Sequence, residues 1–205
     1  MSDAQSIVLQ AKKAKRIIRT LLVGDGGVGK TTLIYAIKEL SAGHATERSE
    51  EGSERPGEGS IKRTPFMEIA TWCYDGVTVQ CFDLAGQRIE GTHPLDLVRE
   101  QVVTLIDVLI MVFSLERYES FERLYQWIEL LRTGPQVLDD TVKMVLVGNK
   151  SDCERCVSRE LIEPIVGEGR PFLKYFETCA IDDQGVSALM QEIARLGGCI
   201  LDGIV

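Results

Sequence analysis

The stretch Gly24-Asp25-Gly26-Gly27-Val28-Gly29-Lys30-Thr31-Thr32 constrains the fold more than any other part of the chain. It lies between the apolar run Ile17 to Val23 and a segment, Lys30 to Leu40, in which Leu33, Ile34, Ile37 and Leu40 fall at helical spacing. Glycines let the backbone turn sharply and bring several N–H groups to one point with no Cβ in the way. The open N–H groups of the next helix's first turn, together with its dipole, attract an anion. Lys30 adds a point charge for the outer phosphates, and Thr31 offers a hydroxyl to Mg2+. The spacing Gly24-x-x-x-x-Gly29-Lys30-Thr31 is that of a phosphate-binding loop. A strand before it, a helix after it and the Lys-Thr ending argue against a bland glycine-rich turn. The loop predicts a nucleoside triphosphate without selecting its base.

The remaining pattern alternates strands with helices. Residues Ser41 to Ser60 contain no large apolar residue and read as a long flexible acidic insertion, bounded at about 41–62. Phe66 to Tyr74 and Val77 to Asp83 are rich in β-formers and are joined by Asp75-Gly76, a hairpin signal. Pro94 to Leu105 has helical spacing, and Val108 to Phe113 is a continuous apolar strand suited to a sheet centre. Tyr118 to Leu131 forms one amphipathic stripe through Phe121, Leu124, Tyr125, Ile128 and Leu131. Val142 to Val147 is a buried strand, Ser158 to Val166 a short helix, Phe172 to Phe176 a last strand and Gly185 to Leu196 a last helix. These elements predict an α/β phosphate-loop fold: six strands, mostly parallel, one antiparallel edge strand, and helices on both faces. The domain is expected over 16–197, after an extension at 1–15 and before a tail at 198–205.

In such sheets ligands sit at the carboxyl ends of the strands. After the Val77 to Asp83 strand comes Asp83-Leu84-Ala85-Gly86-Gln87. Asp83 can hold Mg2+ through water, Gly86 can bring an N–H to a terminal phosphate, and Gln87 can orient an attacking water. After the Val142 to Val147 strand comes Asn149-Lys150-Ser151-Asp152. The Asp152 carboxylate can accept from the N1–H and the 2-amino group of guanine, which adenine lacks, so a site of this kind discriminates. The Lys150 stem can cover the base, and the Ala180 N–H, in Glu177-Thr178-Cys179-Ala180, can meet the guanine carbonyl.

Taken together and in this order, these pieces resemble the Ras superfamily of small GTPases, over roughly Arg16 to Leu196. Ser120-Phe121-Glu122 and the Glu177 to Ala180 stretch look Ras- and Rab-like, while the short Thr64 to Asp83 interval looks Arf-like. The resemblance implies a GTP- and GDP-binding, GTP-hydrolysing switch with Mg2+ bound at Thr31, Thr64 and Asp83. Gln87, Lys30, Thr64 and Gly86 would serve hydrolysis. Gly24 to Thr32, Asn149, Lys150, Asp152, Cys179, Ala180 and Ile181 would cradle the nucleotide. Thr64, and the region from Gly86 to His93, would sense the terminal phosphate. An exchange factor, a GTPase-activating protein and effectors are implied as partners, with signalling or vesicle trafficking as the setting. A non-hydrolysing GTP-dependent binding module is the alternative, and the Asn149 to Asp152 cluster speaks against a P-loop kinase or ATPase. No aromatic residue stands between Thr46 and Arg63, where the family usually places one against guanine, which predicts looser binding. Arg63, beside Thr64, reads as a solvated basic residue in preference to a cation acting on the phosphates.

Composition narrows the setting. A net charge of −8 argues against a general nucleic-acid binder. Six cysteines without a visible secretory signal fit reduced thiols in a cytoplasm. Cys153-Glu154-Arg155-Cys156 is a lone pair, short of the four ligands a zinc site takes. Ser2 stands where myristoylation needs glycine, and Cys199 is followed by six residues, so neither end carries a lipidation box. The basic run Lys12 to Arg16 implies at most weak, peripheral contact with an acidic membrane.

Overall fold

The computed structural model describes residues 16–44, 67–86, 94–133 and 137–201. Six strands, β1 (Arg16–Val23), β2 (Met67–Tyr74), β3 (Val77–Leu84), β4 (Val108–Ser114), β5 (Lys143–Asn149) and β6 (Lys174–Thr178), form one sheet in the order β2-β3-β1-β4-β5-β6. All neighbours pair in parallel except β2 and β3. That hairpin turns on Asp75 and Gly76, both at positive φ (48° and 74°), as a two-residue hairpin loop demands.

The apolar strands divide their side chains between two faces because successive residues of a strand point opposite ways. Ile18 and Leu22 of β1, Ile110 and Val112 of β4, and Val145 and Val147 of β5 face one layer. There they meet Leu33, Ile34 and Ile37 of α1 (Lys30–His44) and Val186, Leu189 and Ile193 of α6 (Val186–Leu201). Leu21, Leu109, Met111, Phe113 and Leu146 face the other. They pack on α2 (Pro94–Val102), α3 (Tyr118–Glu122) and α4 (Leu124–Arg132). α5 (Arg159–Ile162) and a 3-10 turn (Glu163–Ile165) lead towards β6. No helix among the described residues is long and apolar enough to cross a membrane.

Several boundaries differ from those the sequence suggests. α1 runs on through Ser41 to His44, with Ser41 buried and its hydroxyl donating to the Lys38 carbonyl at 2.8 Å. α6 passes through Gly197 because that glycine is a packing site: a Cβ there would stand 1.2 Å from Ile18 Cδ1. The stripe from Tyr118 to Leu131 is broken at Arg123 (φ −72°, ψ −6°), a joint that apolar spacing does not reveal. Pro164 lacks an N–H and ends α5 in the 3-10 turn, and β6 begins at Lys174 because Phe172 bridges back to Val166.

Candidate functional site

β1, β3, β4, β5 and β6 run the same way, so the loops that follow them gather along one edge of the sheet. Ser114 of β4 lies level with Asn149 of β5, and Asn149 with Thr178 of β6.

The phosphate loop closes on its own lysine. Lys30 is 7% exposed, and its Nζ donates to the carbonyls of Gly24 (2.8 Å) and Asp25 (3.0 Å). Burial pulls its pKa from 10.5 down to about 8; Asp83 and Asp25 push the other way, and Arg117 adds to the lowering. The Leu33 N–H donates to the Gly29 carbonyl at 2.9 Å, the first helical bond beyond the loop. Val28 is fully buried beneath it, Gly26 and Thr32 are half-buried and Gly27 is exposed.

Thr31 Oγ1 donates to Asp83 Oδ2 at 2.9 Å, and Asp83 is 1% exposed. A hydroxyl and a carboxylate side by side are hard oxygen donors of the kind Mg2+ takes, and they would hold such an ion beside the phosphate loop. These residues fit the ion. Beyond Asp83 the chain returns to the phosphate loop. A Cβ on Gly86 would stand 2.4 Å from the Asp25 carbonyl carbon and the Gly24 oxygen, and 2.5 Å from the Gly26 nitrogen. Only glycine permits that approach.

The base-side loops are joined by one amide. Asn149 is buried; its Nδ2 donates to the Val28 carbonyl at 2.9 Å, and its Oδ1 accepts from the Thr178 hydroxyl at 3.0 Å. A Cβ on Gly29, whose φ is 90°, would lie 2.3 Å from that Nδ2. The Ser151 N–H donates to the Thr178 carbonyl, which ties the Asn149–Asp152 loop to the Thr178–Ala180 loop. Lys150 takes positive φ (64°) and pairs with Glu116 at 2.5 Å. Asp152 is exposed, and a hydrogen bond from the Cys179 thiol holds its carboxyl below the usual range. Burial, then Asp152, pushes the Cys179 thiol up. Ala180 is buried and Ile181 exposed. The carboxylates of Glu116 and Asp152 push the Cys153 thiol up to about 11, away from thiolate chemistry at neutral pH.

The structure therefore brings together Gly24 to Thr32, Asp83, Gly86, Asn149, Lys150 and Thr178 to Ala180 along one edge. Thr64, Arg63, Gln87 and the stretch to His93 lie outside the described residues, as does the insertion from Ala45 onward. Sequence reasoning passed over the loop after β4. Glu116 reaches Lys150, and Arg117 Nη2 donates to the Gly26 carbonyl at 2.8 Å. Arg123 Nη1 meets Asp25 Oδ2 at 2.7 Å. Ser120 shapes this loop: its hydroxyl accepts from the Ser114 N–H (2.9 Å) and donates to the Arg117 carbonyl (2.7 Å). The available signal was positional, since Glu116 and Arg117 come soon after the apolar run Val108 to Phe113.

A model of the Ras family matches residues 19–197. The chain is 28% identical over 199 residues to the GTP-binding protein GEM of Homo sapiens, covering 95% of this chain and 60% of that protein. It thus spans about three fifths of GEM. It is 29% identical over 189 residues to the Ras-related protein Rab-13 of Rattus norvegicus, covering 90% of this chain and 82% of the relative. It is 28% identical over 201 residues to the Ras-related protein Rab-7a of Dictyostelium discoideum, covering 95% and 89%.

Proposed function

This chain belongs to the Ras family, and on that premise we propose that it is a guanine-nucleotide switch that binds GTP and GDP with Mg2+ and hydrolyses GTP. The observation that carries the reading is the pair of hydrogen bonds at Asn149, which hold the phosphate loop and both base-side loops as one site.

Within that site the roles follow from the chemistry. The N–H groups of Gly26 to Thr32 and the Lys30 ammonium receive the phosphates. Asp152 accepts from the N1–H and 2-amino group of guanine, the Lys150 stem covers the base, and the Ala180 N–H meets the guanine carbonyl. Thr31, Asp83 and Thr64 hold Mg2+, which when bound neutralises charge on the outer phosphates. Gln87 orients the water that attacks the γ-phosphorus in line, and GDP leaves as inorganic phosphate forms. The Gly86 N–H and Thr64 draw toward the γ-phosphate, order the loops from Thr64 and from Gly86 to His93, and release them after hydrolysis. Turnover is slow and raised by an activating partner, exchange is promoted by another, and effectors read the GTP-bound form. Signalling or vesicle trafficking is the setting, with any membrane contact weak or indirect.

Single-turnover phosphate release from GTP-loaded wild type and from Gln87→Leu tests this. Release by the wild type that slows in the variant supports the switch. GTP binding without release by either protein contradicts hydrolysis and leaves a binding module.

A further inference from the structure

The phosphate loop contains a carboxylate. Asp25 sits inside a loop whose work is to hold a polyanion, and its side chain is only 9% exposed. An uncompensated negative charge there, sheltered from solvent, repels phosphate. Two arginines far along the chain meet it. Arg123, at the joint between α3 and α4, donates Nη1 to Asp25 Oδ2 at 2.7 Å. Arg117, in the loop after β4, places Nη2 3.9 Å from the same oxygen and 2.8 Å from the Gly26 carbonyl. Its Nη1 lies 3.7 Å from where a Cβ on Gly27 would stand.

We propose that Arg117 and Arg123 are positioning residues that cancel Asp25 at the terminal-phosphate end of the loop, and so set how tightly the chain holds a triphosphate relative to a diphosphate. The inference rests on the nucleotide-switch reading above. Two cations against one anion leave the cluster at net +1. The cluster lies at the corner where Gly86 touches the backbone of Asp25 and Gly26, the end of the loop that meets the outermost phosphate. GTP carries more negative charge than GDP, and carries it at that end, so it gains more from the compensation. The side chains of Arg117 and Arg123 are 40% and 53% exposed, and salt screens them; Asp25 is sheltered, so removing Arg123 takes the cluster from net +1 to zero and the loop loses that positive charge. The cluster also reaches Lys30, on whose ammonium Asp25 and Arg117 act with opposite sign.

The test is the Kd of GTP and of GDP, each with Mg2+, for nucleotide-stripped full-length protein at low salt. Arg123→Ala is expected to weaken GTP about tenfold and GDP about twofold. Arg123→Lys keeps the charge and stays near wild type. Asp25→Asn added to Arg123→Ala removes the charge that needed cancelling and restores GTP binding to within about twofold of wild type. Thermal unfolding of Arg123→Ala at a midpoint near that of the wild type shows that the single variant folds. Equal losses of GTP and GDP, or no rescue by Asp25→Asn, overturn the inference and reduce Arg123 to packing. If the wild type binds neither nucleotide, the switch reading itself falls, and this inference with it.

Discussion

Asn149 and Val28, 121 residues apart in the chain, meet through a 2.9 Å hydrogen bond from the Asn149 amide to the Val28 carbonyl. With the Thr178 hydroxyl on its other end, this one side chain makes the phosphate loop and the base-side loops a single body. On the proposed reading, nucleotide affinity depends on a residue whose amide is spent on the protein.

Asn149→Ala leaves the Val28 carbonyl and the Thr178 hydroxyl short of a partner in a buried place. The cost of such groups is about 1–3 kcal/mol, so GDP affinity is expected to fall roughly 10- to 100-fold. Titration with GDP checks this; a loss taken wholly by the free protein would appear instead in its thermal unfolding and leave the Kd unchanged.

Gly86→Ala places a methyl 2.4–2.5 Å from the backbone of residues 24–26, and that backbone cannot yield without opening the phosphate loop. GDP binding is expected to survive better than GTP binding. Limited proteolysis near residues 86–94 is expected to lose the protection that GTP confers on the wild type. Equal protection in wild type and variant would show that Gly86 does not report on the third phosphate.

Lys30 gives a pH dependence of definite sign. Its pKa is about 8 in the ligand-free fold, held down by burial, against 10.5 for an ordinary lysine. Between about pH 8 and 10.5 the unfolded chain binds more protons than the folded one, so this group's contribution to stability rises with pH there. Phosphate binding works the other way, because it favours the ammonium. GDP affinity is expected to decline above about pH 8, by up to roughly tenfold per unit, with uptake of one proton on binding. Lys30→Arg stays charged and should flatten the profile. Calorimetry in buffers of different ionisation enthalpy measures the proton directly.

Arg99 tests a contact on the opposite face of the sheet from α1. It is buried, and its guanidinium caps the end of α4 by donating to the carbonyls of Leu130 (2.7 Å) and Thr133 (2.8 Å). Arg99→Ala removes a cation from a helix C-terminus and takes the guanidinium donor from two part-buried carbonyls. A loss of about 1–3 kcal/mol in urea unfolding is expected, with GDP affinity little changed.

What was legible in the sequence was what local rules control. The runs Val108 to Phe113 and Val142 to Val147 could only be strands covered on both faces, and Asp75-Gly76 could only be a tight turn. The Gly24 to Thr32 stretch declared its chemistry because glycine, lysine and threonine at that spacing serve few other ends. Contacts between distant segments were hidden. Nothing in Ser120 to Leu131 signals a joint at Arg123, since the apolar spacing continues through it. Nothing near Asp25 announces that its partner lies 98 residues away. Gly197 reads as a helix stop until Ile18 is seen beneath it. Thr178 was noted for its neighbours, while its own task, holding Asn149, needs the register of β5 and β6 to be known.

The central claim is that these loops form one site that reads guanine through Asp152. The most direct measurement is the binding of guanosine, xanthosine and adenosine diphosphates, with Mg2+, to wild type and to Asp152→Asn. An asparagine amide donates where the carboxylate accepts, and xanthine carries a carbonyl in place of guanine's 2-amino group. The account predicts that the wild type prefers GDP over both xanthosine and adenosine diphosphates, and that Asp152→Asn inverts the order towards the xanthosine nucleotide. Wild type binding all three alike, or a variant that keeps its preference for GDP, would contradict it.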